Sequence, residues 1–320
     1  MGTEVYRLAG LRIVSDFRLR GLESDAPGIA PDDQIAFRRA SIPEELALPT
    51  ATFRNGHHSG KYNGKDVLLE FPVAGRFLVR SGKEILVDPA PAADDGTVHA
   101  YLLGTAFGVL CHQRGITPLH ASLINISDGF IAFVGNSGAG KSTLAAALAQ
   151  RGYQVAADDV CFLRADNKAH IRVWPGIARL RLWETAMQAL GCEGPGIERE
   201  RHGYNKYFIP VVQPKDLYQP RRLRRVYELN DTPSSPTKSV ASLRGAAIVE
   251  VLMQNVYRLG LAECLGYKPH AFKVCAAAAR QVSVFRFNRP NDLNALEESV
   301  AFLEDHLHDK RHDSCTSEPS

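Results

Sequence analysis

The chain has 320 residues, 45% hydrophobic and 23% charged, with a net charge of +3. That length supports two domains with a sizeable core, and the composition is that of a globular protein. So small a charge gives no global attraction to nucleic acid or membranes, no apolar run reaches bilayer-spanning length, and the first residues carry no signal-peptide pattern, so a cytoplasmic chain is expected.

From Tyr6 to about Asp88 the pattern is short strands and turns. Two β-prone runs, 76–80 and 83–87, flank Ser81-Gly82 and predict a hairpin. Residues 24–50 carry Pro27, Pro31, Pro43 and Pro49 among charges and predict a long surface loop. His57 and His58, beside Asn55 and Gly56, fit an exposed turn better than a metal site. Residues 1–93 therefore form an expected β-rich accessory domain ending in the proline-rich linker 89–93. Next, Val98, Tyr101, Leu102, Thr105, Ala106, Val109 and Leu110 recur at helical spacing between Asp94-Asp95 and Gly115. Their apolar face is expected to pack on the sheet that follows.

Residues 119–126 and 129–134 predict two strands joined at Ser127-Asp128-Gly129. The second leads into Gly135-Asn136-Ser137-Gly138-Ala139-Gly140-Lys141-Ser142, a G-x-x-x-x-G-K-S loop, and Thr143 opens a strong helix former through Gln150. Strand, glycine loop and helix occur in the order that a nucleotide-phosphate cradle requires. Glycines let backbone N–H groups turn inward, and the helix N-terminus adds its positive dipole end. Residues 135–143 are thus the candidate ATP-binding stretch, with Lys141 reaching the β- and γ-phosphates and Ser142 ligating Mg²⁺. After one more short strand come Asp158 and Asp159, where carboxylates can serve a metal or an acceptor hydroxyl.

The stretch from His120 through the loop to Arg151-Gly152-Tyr153 and Asp158-Asp159-Val160 resembles the catalytic domain of HPr kinase/phosphorylase. Members of that family phosphorylate a protein serine on a fold related to phosphoenolpyruvate carboxykinase. The resemblance covers 118–163 well and the rest only in layout. It implies an α/β P-loop kinase domain over 94–312, with His120 as the active-site histidine and Asp158 and Asp159 as an acidic pair in base and metal roles. Asp158 is expected to orient or deprotonate the hydroxyl, with Asp159 and Ser142 holding Mg²⁺ and Lys141 neutralising the transferring group. The order of the two aspartates is not fixed by sequence. Thr143 stands where bifunctional members carry glutamate, and their Arg- and Gly-rich phosphorolysis signature has no good copy, so phosphatase activity is not expected. The pattern is closer to divergent HPr-kinase-like proteins, some of which modify precursor peptides in lasso-peptide pathways. Relatives form ring-like oligomers, so self-association is expected.

Downstream, Trp174 and Trp183 are expected in the core, 184–190 as a helix and 193–207 as a loop. Between Arg199 and Arg225 eight basic residues face Glu200 and Asp216. Within this run Lys206, Arg199 and Arg201 are candidate substrate-binding cations; nucleic acid fits poorly because aromatics interleave poorly with them. Helices are expected over 243–259, 269–279 and 292–307, the last capped by Asn291, and a disordered tail over 313–320. The six cysteines form no C-x-x-C pair, and most sit in apolar surroundings that favour reduced core thiols. The leading expectation is an ATP- and Mg²⁺-dependent kinase for a Ser/Thr hydroxyl of a peptide or protein. A small-molecule kinase and a nucleotide-dependent switch are the alternatives.

Overall fold

The computed structural model describes residues 3–22, 33–55, 58–166, 168–200, 203–211, 219–231 and 238–309. Arg201, His57 and the tail 313–320 lie outside them. The chain is mixed α/β and divides into two compact units, Met1–Pro118 with Glu200–Tyr204 and Tyr257–Ala271, and Leu119–Arg199 with Asn205–Val256 and Phe272–Ser320.

The first unit carries β1 (Glu4–Leu8), β2 (Leu11–Ser15), β3 (Gln34–Arg39), β4 (Ala51–Asn55), β5 (His58–Tyr62), β6 (Asp66–Phe71), β7 (Gly75–Arg80) and β8 (Glu84–Pro89). They form one sheet in the order β1-β2-β3-β8-β7-β6-β5-β4. The hairpin expected around Ser81-Gly82 is β7–β8, paired Val79↔Ile85. β3 corrects the long loop expected over 24–50: it pairs parallel with β2 and β8, burying Ile35 and Phe37 in alternation. The helical stretch is α1 (Asp95–Tyr101), capped by Asp94, a π-helical turn at Leu102–Ala106, and α2 (Phe107–Gln113). It belongs to this unit, with Phe107 edge-on to Phe37 of β3, not to the sheet of the second unit as expected.

After β9 (Thr117–Leu119), the second unit is built on β10 (Ser122–Ile126), β11 (Gly129–Val134), α3 (Lys141–Gln150), β12 (Gln154–Ala157), β13 (Cys161–Ala165) and β14 (Ile171–Trp174). β15 (Arg179–Trp183), α4 (Glu184–Ala189), β16 (Glu198–Arg199) and β17 (Lys206–Pro210) follow, with the three strands forming their own sheet in the order β15-β17-β16. β18 (Arg221–Asp231) is the long central strand; β19 (Ser239–Ser242), α5 (Ala246–Gln254), β20 (Ser283–Arg289) and α8 (Leu296–His308) complete this unit with most of α7 (Lys268–Ala279), while α6 (Leu259–Cys264) and the start of α7 are counted with the first unit.

The larger sheet runs β12-β10-β11-β18-β14-β13 and curls. β18 runs parallel to β11 on one side, and on the other pairs first with β14, then with β20. β11 is buried at every position, as a strand covered on both faces must be. Leu144 and Leu148 of α3 and Val300 and Leu303 of α8 pack over Ile131, Phe133, Tyr227 and Phe287, all buried. Arg225, itself buried, donates to His306 O and Leu307 O at 3.1 and 3.2 Å, satisfying carbonyls at the end of α8.

Three expectations change here. The helix expected over 243–259 is the shorter α5, Ala246–Gln254: Asn255 is its C-cap, and Arg258 takes a left-handed φ of 57° before α6 begins at Leu259. Asp292, not Asn291, caps the last helical segment by accepting from Asn294 N. Trp183 is 42% exposed instead of in the core. Cys111, Cys161 and Cys275 are buried free thiols, and burial pushes each thiol's pKa up.

Candidate active site around the glycine loop

The strand order explains why distant residues meet. β10 runs antiparallel between β11 and β12, with Ser122 opposite Phe133 and Leu123 opposite Ala157. Its first residues therefore lie between the last residues of both neighbours. His120 and Ser122 come from its start, the glycine loop from the end of β11, and Asp158-Asp159 from the end of β12.

The loop has the shape its glycines permit. Gly138 and Gly140 adopt φ of 90° and 84°, a region costly for residues bearing a Cβ. A Cβ at Gly138 would meet no atom within 4 Å, so this side of the loop is open. Gly140 is the N-cap of α3, which aims the helix's positive end into the loop. Lys141 is 6% exposed, and its ammonium donates to Gly135 O at 2.8 Å and Asn136 O at 3.0 Å. The aliphatic stem is thereby buried and the charge fixed over the loop. Asn255 holds the loop's entry: its Oδ1 accepts from Gly135 N at 2.8 Å, and its main-chain O accepts from His120 N at 2.8 Å.

The two carboxylates sit in different surroundings. Asp158, 5% exposed, accepts from Ser122 Oγ, from Ser142 Oγ at 2.9 Å and from Arg181 N at 2.7 Å. Burial raises its pKa above the ordinary carboxylate range, against the hydrogen bonds from Ser122, Arg181 and Ser142. Asp159 has φ 84°, a strained value for a residue with a Cβ. Its Oδ1 lies 3.0 Å from Arg181 Nη1 and 3.4 Å from His120 Nδ1. Burial pulls its pKa up, but the charge of Arg181, helped by His120, Lys206 and Lys141, holds it below the ordinary range. His120 Nδ1 donates to Asp159 O at 2.7 Å, which places the neutral ring's lone pair on Nε2. Burial lowers the His120 pKa despite Asp159, so the ring is neutral near pH 7.

Sequence reasoning placed Asp159 with Ser142 but left the order of the aspartates open; the hydroxyl meets Asp158. It also missed Arg181, which touches both carboxylates at once. The only available signal was a cation alternating with buried Leu180 and Leu182 on β15. Ser122 had a comparable signal, two residues from His120 on the same strand face. Asn255 had none, since it sits inside an apparently continuous helical pattern.

The cation cluster expected for a substrate is split by strand register. Lys206 lies opposite Trp183, and Phe208 lies opposite both Arg181 and Glu198, so these share one face of the small sheet. Lys206 Nζ rests 4.8 Å from the Trp183 ring centroid. Arg199 lies opposite Tyr207 on the other face and donates to its hydroxyl at 2.8 Å. Of the remaining basic run, Arg221 donates to Asn125 Oδ1 at 3.0 Å, Arg224 pairs with Asp128 and Arg225 caps α8. Among the described residues of the run, the basic side chains are therefore dispersed and form no patch.

The donors present fit a magnesium–triphosphate group. The open glycine loop and fixed ammonium suit phosphate oxygens, while the Ser142–Asp158 pair offers the hard oxygen ligands that Mg²⁺ takes alongside water and phosphate. Among the described residues no three His, Cys, Asp or Glu side chains gather as a metal centre, and no helix is long and apolar enough to cross a membrane. No family model matches the chain, and no curated protein matches it. Among solved structures it is similar to the Hpr(Ser) kinase/phosphatase from Coxiella burnetii, at 13% identity and a TM-score of 0.31, over 59% of this chain and 95% of that one.

Proposed function

We propose that the chain is an ATP-dependent kinase that transfers phosphate to a Ser/Thr hydroxyl of a peptide or protein, with a P-loop domain of the HPr kinase-like type. The observation that carries this reading is the division of labour between the aspartates. Asp158 is tied to Ser142 of the loop, and Asp159 is tied to His120 and Arg181 beside it. Ser142 and Asp158 would hold the metal. Asp159 and His120 would orient the acceptor hydroxyl and take its proton at a carboxylate oxygen or at Nε2. This takes the second of the two orders that sequence left open. When bound, MgATP supplies the phosphoryl group and neutralises charge on it. Phosphoryl transfer through a loose transition state needs positioning more than a strong base, so a carboxylate with a depressed pKa suits the task. Lys141 would offset charge developing on the transferring group.

A peptide acceptor is supported by the small-sheet face that bears Arg179, Arg181, Lys206, Trp183 and Phe208 against Glu198. Such a face suits an acidic segment with an apolar side chain, and the motif resemblance adds lasso-type precursor peptides to the candidates. Labelled-ATP transfer to acidic Ser/Thr peptides, precursor peptides and a panel of hydroxylated metabolites tests this. Phosphopeptide formation, lost in Lys141→Ala, is the expected result. Labelling of a metabolite alone would overturn the peptide acceptor, and nucleotide turnover without any labelled acceptor would replace the kinase with a switch.

A further inference from the structure

Two side chains from the far end of the second unit grip the glycine loop by its carbonyls. β20 ends at Arg289, which is 3% exposed. Its Nη2 donates to Ala139 O at 2.7 Å and its Nη1 to Pro290 O at 3.1 Å. Two residues on, Asn291 Nδ2 donates to Gly138 O at 3.2 Å. In a planar trans peptide the C=O of one residue and the N–H of the next point in opposite directions. Fixing Gly138 O thus aims Ala139 N–H away from Asn291, where it closes a turn on Asn136 O at 3.2 Å. Fixing Ala139 O aims Gly140 N–H away from Arg289, at the threshold of α3. Arg289 also presses on the loop closely: a Cβ at Gly140 would lie 2.3 Å from its Nη2.

We propose that Arg289 and Asn291 are positioning residues for the nucleotide, and that the buried guanidinium adds its charge to that of Lys141. They set the loop's peptide planes before the phosphates arrive, so less ordering is left for binding to accomplish. In a poorly solvated setting a charge a few ångströms behind the loop acts more strongly than it would in water. The proposal rests on reading the loop as a nucleotide site.

The test is calorimetric titration of the full chain with MgATP and MgADP, which needs no acceptor, alongside the melting temperature of each ligand-free variant. Asn291 is exposed, so Asn291→Ala should fold; it is expected to raise Kd about 3- to 10-fold, the effect of one hydrogen bond, with the melting temperature unchanged. Arg289→Met is expected to raise Kd roughly 10- to 100-fold, as loss of a charged hydrogen bond does. Arg289→Lys should fall between, since it keeps the charge but not the fork of donors. If Lys141→Ala weakens binding while Asn291→Ala and Arg289→Lys bind like wild type, the positioning role is overturned and the loop reading stands. If Lys141→Ala also binds like wild type, the loop reading fails and takes this proposal with it.

Discussion

At the scale of single residues, the two aspartates make opposite demands on pH. Burial raises the Asp158 pKa, so the folded chain holds that proton more tightly than the unfolded one. Its contribution favours the fold below the unfolded pKa and is lost as pH rises through the raised folded value. We predict that Asp158→Asn flattens this decline in urea-unfolding stability and removes the stabilisation that Mg²⁺ gives the wild type. Asp159 behaves in the opposite sense. Its depressed pKa contributes stability above the unfolded value and loses it as pH falls through the folded one. Asp159→Asn tolerates the same positive φ, so the fold should persist while the single-turnover rate falls about a hundredfold or more, the range for a positioned acid–base group. A near-wild-type rate would remove Asp159 from the chemistry. Because His120 also has a lowered pKa, kcat/KM should hold steady down to below pH 6.5 before falling on the acid side.

The break between α5 and α6 is the informative feature at the scale of elements. Asn255 leaves the helix with its side-chain N–H₂ still bonded to Val251 O and its carbonyl oxygen bonded to Gly135 N. Asn255→Ala strands a buried amide at the loop's entry, and we predict a stability loss of about 1–3 kcal/mol in urea titration, with weaker MgATP binding. A variant as stable as wild type would show that the contact is incidental. The same region shows what sequence could and could not reveal. Local structure was legible: the glycine loop, α3 and the β7–β8 hairpin each announce themselves within a dozen residues, as does the adjacent pair Asp158-Asp159 at the end of β12. β3 was hidden among prolines and charges, because parallel pairing with β2 and β8 leaves no turn signal beside it. Asn255, Arg289 and Asn291 were invisible because their partners lie 120, 150 and 153 residues away along the chain.

Across the whole molecule, ligand linkage offers the broadest check. MgATP at 100 times its Kd should stabilise the folded chain by about 2.7 kcal/mol. Lys141→Ala should lose most of that gain in a thermal-shift series. The division of the chain into two units makes an all-or-none transition an unsafe assumption, so the shift is best followed by a probe in the loop-bearing unit, such as Trp183 fluorescence. Sequence anticipated a β-rich first part and a loop-bearing second part. It did not anticipate that α1 and α2 belong to the first, because an amphipathic face shows that a partner exists without saying which sheet it is.

The distance between the loop and β20 bears on the order of events at the ribosome. Residues 135–142 emerge early, yet β18 must first lie beside β11 and β20 beside β18 before Arg289 and Asn291 can reach them. Such long-range parallel pairing forms slowly and late. A nascent chain that ends before Ser283 is therefore expected to carry the complete glycine motif and still hold nucleotide poorly. On the proposed reading, competence would arrive only with the last strand, and half-made chains would neither sequester ATP nor modify bystanders.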